Sequence, residues 1–375
     1  MNDNKKDLLI IGGMRFSDIN ACAHRMIGIA KMFKPFCERI FLLGVGESIE
    51  NGDIADCKYK TIIYPKTAKQ FWNFTFSAKE YITFLKANKS IKYVVVNGSV
   101  PSVPTMKIAK FCRKNGIDFI FDIGEWYSNP YKFIKGLIKG FDIFLKMHVV
   151  CKKYQNYIVS SSYLASHCGS KKNVLIFPTM VTMPIDNKRK QKKFNGVVKL
   201  SFIGFLEKKN KKENLDPLIE SIVSFNNNHK TKFDLSIIGT DGNSSENIHF
   251  YGKKTYKECI QYLVDSDFSV IPRGKTRKNQ SGFPTKLSES FLYNVPVIST
   301  DTSDIKNYIL DGENGFILGE NTVESFTSCF EKISEELSLD SEYLNKLSSN
   351  IEKTNKLQPE FFQQSFKSFV DALRK

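Results

Sequence analysis

The feature that most limits the fold is the alternation of short, unbroken apolar runs with helical stretches from start to finish. The first half contains LLIIGG (8–13), RIFLLGV (39–45), TIIYP (61–65), KYVVVNG (92–98), DFIFDIG (118–124), YIVSS (157–161) and NVLIFP (173–178). A second series follows: VVKLSFIG (197–204), KFDLSIIG (232–239), NIHFYG (247–252), DFSVIP (267–272) and VPVIST (295–300). An apolar run with no polar alternation is what a strand shows when both its faces are buried, as in a parallel sheet covered by helices. The expected class is therefore α/β, with two doubly wound Rossmann-like domains and a cleft between them. Between the two series, PTMVTMPIDNKRKQKKFNG (178–196) has proline, charge and no periodicity, and reads as a linker. The expected limits are an N-terminal domain over 1–180, a linker over 181–196 and a C-terminal domain over 197–357. The amphipathic stretch 358–375 is expected to pack back on the first domain. A length of 375 residues suits two such domains.

With 55 basic and 39 acidic residues, the formal charge is +16. Only eight of the basic residues are Arg, and they are scattered, whereas nucleic-acid readers lean on Arg for bidentate contacts. The charge points instead to anionic partners such as donor phosphates or an anionic bilayer. The eight cysteines show neither CxxC spacing nor a Cys/His cluster, which argues against structural zinc and a disulfide framework. The expected setting is cytoplasmic. The N-terminal apolar stretch is too short for a secretory signal, and no apolar run is long enough to span a bilayer.

Ligands of doubly wound sheets sit beyond the C-terminal strand ends. The richest such place is DFSVIPRGKTRKNQSGFPTKLSES, where a strand ends at Pro272 and a basic loop carries Arg273. Gly282 loosens the backbone, Pro284 marks a helix start, and Thr285–Tyr293 reads as helical. A helix start offers free N–H groups and positive potential, so Lys286 in the first turn is electrostatically disfavoured until an anion binds. Glu289, one turn on, shares its face and suits vicinal hydroxyls. A solvated Lys286–Glu289 surface pair is the plain alternative.

SGFPTKLSES followed by VPVISTDTSDIKNYILDGENGF resembles the donor-site signature of family 4 glycosyltransferases, most closely a bacterial capsular or surface-polysaccharide subgroup. The resemblance implies the GT-B fold and a retaining reaction. It matches Glu289 to the carboxylate that binds the donor ribose. The partnering glutamate of the family falls at Ser281, a departure that removes any carboxylate role there. Gly282, Phe283 and Thr285 fall where the family holds the donor phosphates. FIGFLEKKN (202–210) resembles the family's strand-to-loop element, with Gly204 at the turn and Lys208 and Lys209 toward the diphosphate. HFYGKKTYKECI (249–260) resembles the nucleobase loop, with Gly252 and Lys253 nearest. DTSD (301–304) matches a loop that binds no metal.

In the first domain, Gly12 and Gly13 follow the first strand without a GxGxxG, so dinucleotide binding is not supported. Arg15 is placed to meet an acceptor or phosphate. FDIGEWYS (121–128) matches the subgroup too, and sets Glu125 and Trp126 at a strand end as an acceptor platform; aromatics folded onto the core are the alternative. Residues 130–153 form a basic amphipathic stretch, with Lys132, Lys135, Lys139 and Lys146 on one stripe and Ile134, Leu137, Ile138, Phe141 and Leu145 on another. It reads equally as a bilayer-docking helix or a domain helix with a core face.

The resemblance therefore implies a hexosyltransferase that moves sugar from a nucleotide donor, taken as a UDP-sugar, to a lipid-linked or oligosaccharide acceptor. It needs no other cofactor and no metal, and binds no nucleic acid. Lys286, Arg273 and Glu125 are its expected catalytic residues. A non-catalytic partner subunit on the same fold, favoured by Ser281, and a nucleotide-sugar epimerase are the rival readings.

Overall fold

The computed structural model describes residues 6–373 except 17–19, 130–132, 182, 183, 188, 190, 192 and 207–211. The chain divides into two compact units, residues 1–183 with 359–375, and residues 184–358.

The first unit runs β1 (Asp7–Ile11), α1 (Ala21–Phe33), β2 (Ile40–Gly46), β3 (Asn51–Ile54), β4 (Cys57–Ile63), α2 (Ala68–Phe76), α3 (Lys79–Ala87), β5 (Ile91–Asn97), α4 (Ser102–Lys114), β6 (Asp118–Ile123), α5 (Phe133–Leu145), α6 (Cys151–Lys153), β7 (Asn156–Val159), α7 (Ser162–Cys168) and β8 (Asn173–Ile176). Its sheet order is β3-β4-β2-β1-β5-β6-β7-β8, parallel except for β3, which pairs antiparallel with β4. β1 shows why the apolar runs are unbroken. Leu8 and Ile10 enter the core under α1, while Leu9 and Ile11 enter the core on the opposite face. Asn20 caps α1 by accepting from the Ala23 N–H, and Thr67 with Gln70 forms a capping box at α2.

The second unit runs β9 (Val197–Ile203), α8 (Asp216–Asn228), β10 (Lys232–Ile238), β11 (Ile248–Phe250), α9 (Tyr256–Asp265), β12 (Phe268–Ile271), α10 (Arg277–Ser281), α11 (Thr285–Leu292), β13 (Val297–Thr300), β14 (Gly315–Leu318), α12 (Val323–Leu339) and α13 (Tyr343–Thr354). Its six strands are all parallel, in the order β11-β10-β9-β12-β13-β14. The final helix α14 (Pro359–Leu373) joins the first unit, where Phe366, Phe369, Val370 and Leu373 share a core with Phe33 and Phe177.

Part of the stretch expected as a linker belongs to the second unit. The Tyr293 hydroxyl accepts from the Ile185 N–H at 3.0 Å, and the Arg189 guanidinium pairs with Asp267 at 3.2 Å. These contacts fix a segment whose composition alone looks loose.

Candidate functional site

In the second unit, the neighbouring strands β9, β10 and β11 are each followed within two residues by a glycine, Gly204, Gly239 and Gly252. The Gly204 N–H donates to the Ile238 carbonyl at 2.8 Å, and the Gly239 N–H donates to the Gly252 carbonyl at 2.7 Å. Gly239 has φ +96°, and a Cβ there would lie 2.9 Å from the Gly204 carbonyl oxygen. Only glycine keeps this strand-end floor open. The Thr240 hydroxyl fastens the turn after β9, donating to the Gly204 carbonyl at 3.1 Å and accepting from the Leu206 N–H at 3.0 Å.

Beside that floor α11 begins. Pro284 occupies its N-cap, and no side chain caps the start. Lys286 stands in the first turn, as expected, with Nζ 4.2 Å from the Phe202 ring centroid. The ammonium also lies against Gly204, where a Cβ would come within 2.8 Å of Nζ. Its counter-charge is Glu213, 3.1 Å away. The same carboxylate accepts from Arg273 Nε at 3.1 Å, and Arg273 Nη1 donates to the Gly282 carbonyl at 3.3 Å. Arg273 is buried, and its backbone N–H donates to the Thr300 hydroxyl at 2.9 Å. Glu213 is held in turn by an isolated bridge to Arg273 and by the Asn214 N–H, which donates to the Pro272 carbonyl at 3.0 Å.

Burial alone would raise the Glu213 carboxyl, but Lys286 and Arg273 outweigh it and hold it down to about 2. Burial pulls the Lys286 ammonium below its ordinary range in spite of Glu213. Glu289 lies one turn deeper in α11. Burial pushes its carboxyl up, opposed by a hydrogen bond from the Tyr256 hydroxyl and by the charge of Lys286.

The structure thus brings together Gly204, Arg273, Gly282, Lys286 and Glu289, and sets Gly252 at the same end of the sheet. Lys253 is exposed just after it. Ser281 is fully buried at the end of α10 and donates to the Lys278 carbonyl at 3.1 Å. Phe283 is buried in the core with Leu287 and Phe291, so its side chain packs while its backbone borders the helix start. Thr285 opens α11. Lys208 and Lys209 lie outside the described residues. Glu213, Tyr256 and Gly239 were missed in the sequence. Glu213 sits in the lysine-rich stretch before α8, where it is one of two glutamates and nothing local distinguishes it.

In the first unit, Gly12 and Gly13 follow β1, and the Gly13 N–H donates to the Ser99 hydroxyl at 2.7 Å. Arg15 is exposed beside them. At 121–128 the structure shows the aromatics Trp126 and Tyr127 partly buried and packed against the unit's core. Asp122 is fully buried and receives the Arg25 guanidinium through Nη2 at 2.6 Å and Nε at 2.9 Å. Trp126 packs edge-on against His167, with ring centroids 4.9 Å apart, and against His148 and Tyr163. Glu125 is half-buried in the same turn. The aromatics are folded inward because α7 supplies a wall for them.

Of the lysine stripe over 130–153, Lys135 is exposed while Lys139 and Lys146 turn inward. Lys132 lies outside the described residues. Lys146 is 1% exposed, 3.6 Å from Asp142, and donates to the Gly98 carbonyl at 2.5 Å. Lys139 is partly buried, 3.2 Å from the same carboxylate. The outward face of α5 is instead apolar, with Ile134, Leu137, Phe141 and Phe144 all more than half exposed. Asp142 causes this reversal, since a buried carboxylate at the helix's inner face draws in the lysines one turn away. No helix among the described residues is long and apolar enough to cross a membrane.

Residues 186–354, nearly all of the second unit, match the model of the family described as glycosyl transferases group 1. No curated protein matches the sequence. Among solved structures, the chain is similar to sucrose-phosphate synthase from Thermosynechococcus elongatus, with TM-score 0.67, 10% identity, and 98% of this chain and 100% of that one covered. A glycosyltransferase from Rickettsia africae gives TM-score 0.64 and 13% identity over 98% of this chain and 99% of its own. Anabaena Alr3699/HepE in complex with UDP-glucose gives TM-score 0.61 and 9% identity, with 98% and 99% covered. At such identities the likeness speaks for the fold alone: two Rossmann-like halves of the GT-B class.

Proposed function

We propose that this chain, whose second unit matches the group 1 glycosyltransferases, moves a hexose from a nucleoside-diphosphate sugar to a lipid-linked or oligosaccharide acceptor with retention of configuration. Surface-polysaccharide assembly at the inner face of a membrane is the setting that the family 4 resemblance favours. The observation that carries the reading is the uncapped start of α11, with Lys286 in its first turn and Glu289 one turn on. A diphosphate fits the helix start, and Glu289 is then one turn away for the ribose hydroxyls. UDP-sugars are the first donors to test, because a protein of the same architecture was solved with UDP-glucose.

As the sugar bond breaks, charge grows on the leaving diphosphate. Lys286 and the free N–H groups of α11 meet that charge, a task a metal performs elsewhere. Arg273 touches Glu213 and the Gly282 carbonyl, so its part is to hold the loop and the carboxylate in place.

The test is to titrate the purified chain with UDP and UDP-glucose by calorimetry, then assay release of UDP with and without acceptor. Saturable UDP binding that Glu289→Ala weakens supports the donor site; no binding of any nucleoside diphosphate overturns it. The buried Ser281, where the family has a carboxylate, favours a second reading as a non-catalytic partner subunit. Donor turnover by the single chain removes that reading. Epimer formation without release of nucleotide identifies an epimerase instead.

A further inference from the structure

Tyr256 is the first residue of α9 and follows the loop that contains Gly252. A capping box of Thr255 and Glu258 fixes the start of that helix, so the point from which the Tyr256 side chain departs is set locally. Further along, Ile260, Leu263 and Val264 of α9 share an apolar cluster with Tyr293 and Val295, against which Ile185 packs. The helix is therefore seated against the C-terminal end of α11. All of these residues belong to the second unit.

Glu289 and Tyr293 are four residues apart, at the end of α11, and so share a face. The Tyr256 hydroxyl crosses from α9 and hydrogen-bonds both, donating to the Glu289 carboxylate and joining the Tyr293 hydroxyl. Tyr293 is buried, and its hydroxyl is itself tied down: it accepts from the Ile185 N–H at 3.0 Å and donates to the Ile185 carbonyl at 3.3 Å. The Tyr256 phenol thus has an anchored hydroxyl behind it and a carboxylate ahead.

An ionised carboxylate has about four acceptor sites on its two oxygens. One phenol leaves the others open, while it restricts the rotation of an otherwise flexible side chain. Such restriction lowers the ordering cost of binding. A vicinal diol needs the carboxylate in one orientation, whereas a lone hydroxyl does not.

We propose that Tyr256 is the positioning residue for Glu289: its hydroxyl orients that carboxylate toward the two ribose hydroxyls of the donor, and so sets a preference for a ribonucleotide over its 2′-deoxy counterpart. The proposal rests on the donor-site reading above. The groups that face Glu289 are Tyr256 and Cys259 from α9, and Lys286 and Tyr293 from its own helix. Burial pushes the Glu289 carboxyl up, and the Tyr256 hydrogen bond and Lys286 oppose it.

The test is calorimetry of UDP and 2′-deoxy-UDP against the full chain and its Tyr256→Phe, Glu289→Ala and doubly substituted variants, over a range of pH. Tyr256→Phe keeps the half-exposed ring and removes only the hydroxyl. It should weaken UDP about tenfold, the worth of a hydrogen bond to a charged group, and 2′-deoxy-UDP less than about twofold. It should add nothing to Glu289→Ala. It should also move the acid loss of UDP binding to higher pH than in the wild type, since burial then acts on Glu289 with one opponent fewer. The titration of the phosphate is common to both proteins and cancels. Equal losses for the two nucleotides with no movement of the pH profile make Tyr256 a strut and overturn the proposal. So does a Tyr256→Phe variant that binds UDP normally while Glu289→Ala does not, and the donor reading then stands. If Glu289→Ala leaves UDP affinity unchanged, the donor reading falls and the proposal falls with it.

Discussion

Both units place cations at the C-terminal ends of a parallel sheet, yet they treat them oppositely. In the second unit Lys286 and Arg273 converge on Glu213, a buried carboxylate fixed by a backbone bridge. In the first, Asp142 is taken up by Lys139 and Lys146, and Arg15 and Lys135 make no ion pair among the described residues. A site whose cations are already paired can remain folded and desolvated while empty, because each buried charge has a partner. It must then share its cations when an anion arrives. Cations left in solvent need no such exchange, and salt screens whatever they attract. The difference teaches that a cation's place at a strand end does not by itself say how its charge is met.

The most severe way to break the comparison is to remove Lys286. Lys286→Ala should lower kcat by about a hundredfold or more and change the donor KM less, because the contact strengthens as charge develops. Steady-state kinetics with a UDP-sugar decide this, and a near-normal kcat returns Lys286 to a structural pair with Glu213.

Neutralising Glu213 sharpens the contrast. Glu213→Gln should lower the stability of the unliganded second unit by about 3 kcal/mol, since two buried cations lose their partner. It should also tighten UDP by about tenfold, because the diphosphate no longer competes with a carboxylate. Urea unfolding and calorimetry read the two effects; if both stability and affinity fall, Glu213 is a strut and not a competitor.

The same pair sets a pH dependence. Glu213 sits at about 2 in the folded chain against its ordinary 4.5, so the unfolded chain takes the proton first. Stability is then complete above about 4.5 and is lost as pH falls toward 2, by about 3 kcal/mol in all. Glu213→Gln should abolish that part of the acid slope. An unchanged slope would mean that the carboxylate is not paired in solution.

Glu289→Ala should weaken UDP by about tenfold or somewhat more, the worth of one charged hydrogen-bond pair, without altering the fold. The smallest effect belongs to α5. Leu137→Glu with Phe141→Glu changes exposed residues, so the melting temperature should stay within about 2 °C. Binding to vesicles of anionic phospholipid should nevertheless drop if the apolar face meets the bilayer. Co-sedimentation with such vesicles reads this, and equal binding by the variant removes α5 from the membrane contact.

The strands were legible where both faces are buried, as in VVVNG of β5, because burial forces an unbroken apolar run. β3 escaped because NGDI is polar and edge-exposed, and it exists through a tight turn in which Ala55 and Asp56 both take positive φ. In the site, Lys286 and Glu289 could be read from local spacing after a proline. Glu213 could not, since its meaning lies in contacts with residues far along the chain. Lys146 misled for a related reason: a lysine in a helix is usually solvated, and the Gly98 carbonyl, Asp142 and the Tyr127 ring together explain its burial. Trp126 was legible as an aromatic at a strand end, but which wall it faced depended on α7.

The return of α14 has a consequence for how the protein comes into being. During synthesis the first unit emerges without Phe366, Phe369 and Val370, which complete its core beside Phe33 and Phe177. Its apolar seam must stay open while the whole second unit is being made, since domains otherwise tend to fold in order of emergence. The first unit's core can therefore be completed only after the second unit has been made. A lesion in the last helix, remote in sequence, would be felt as a defect of the chain's beginning.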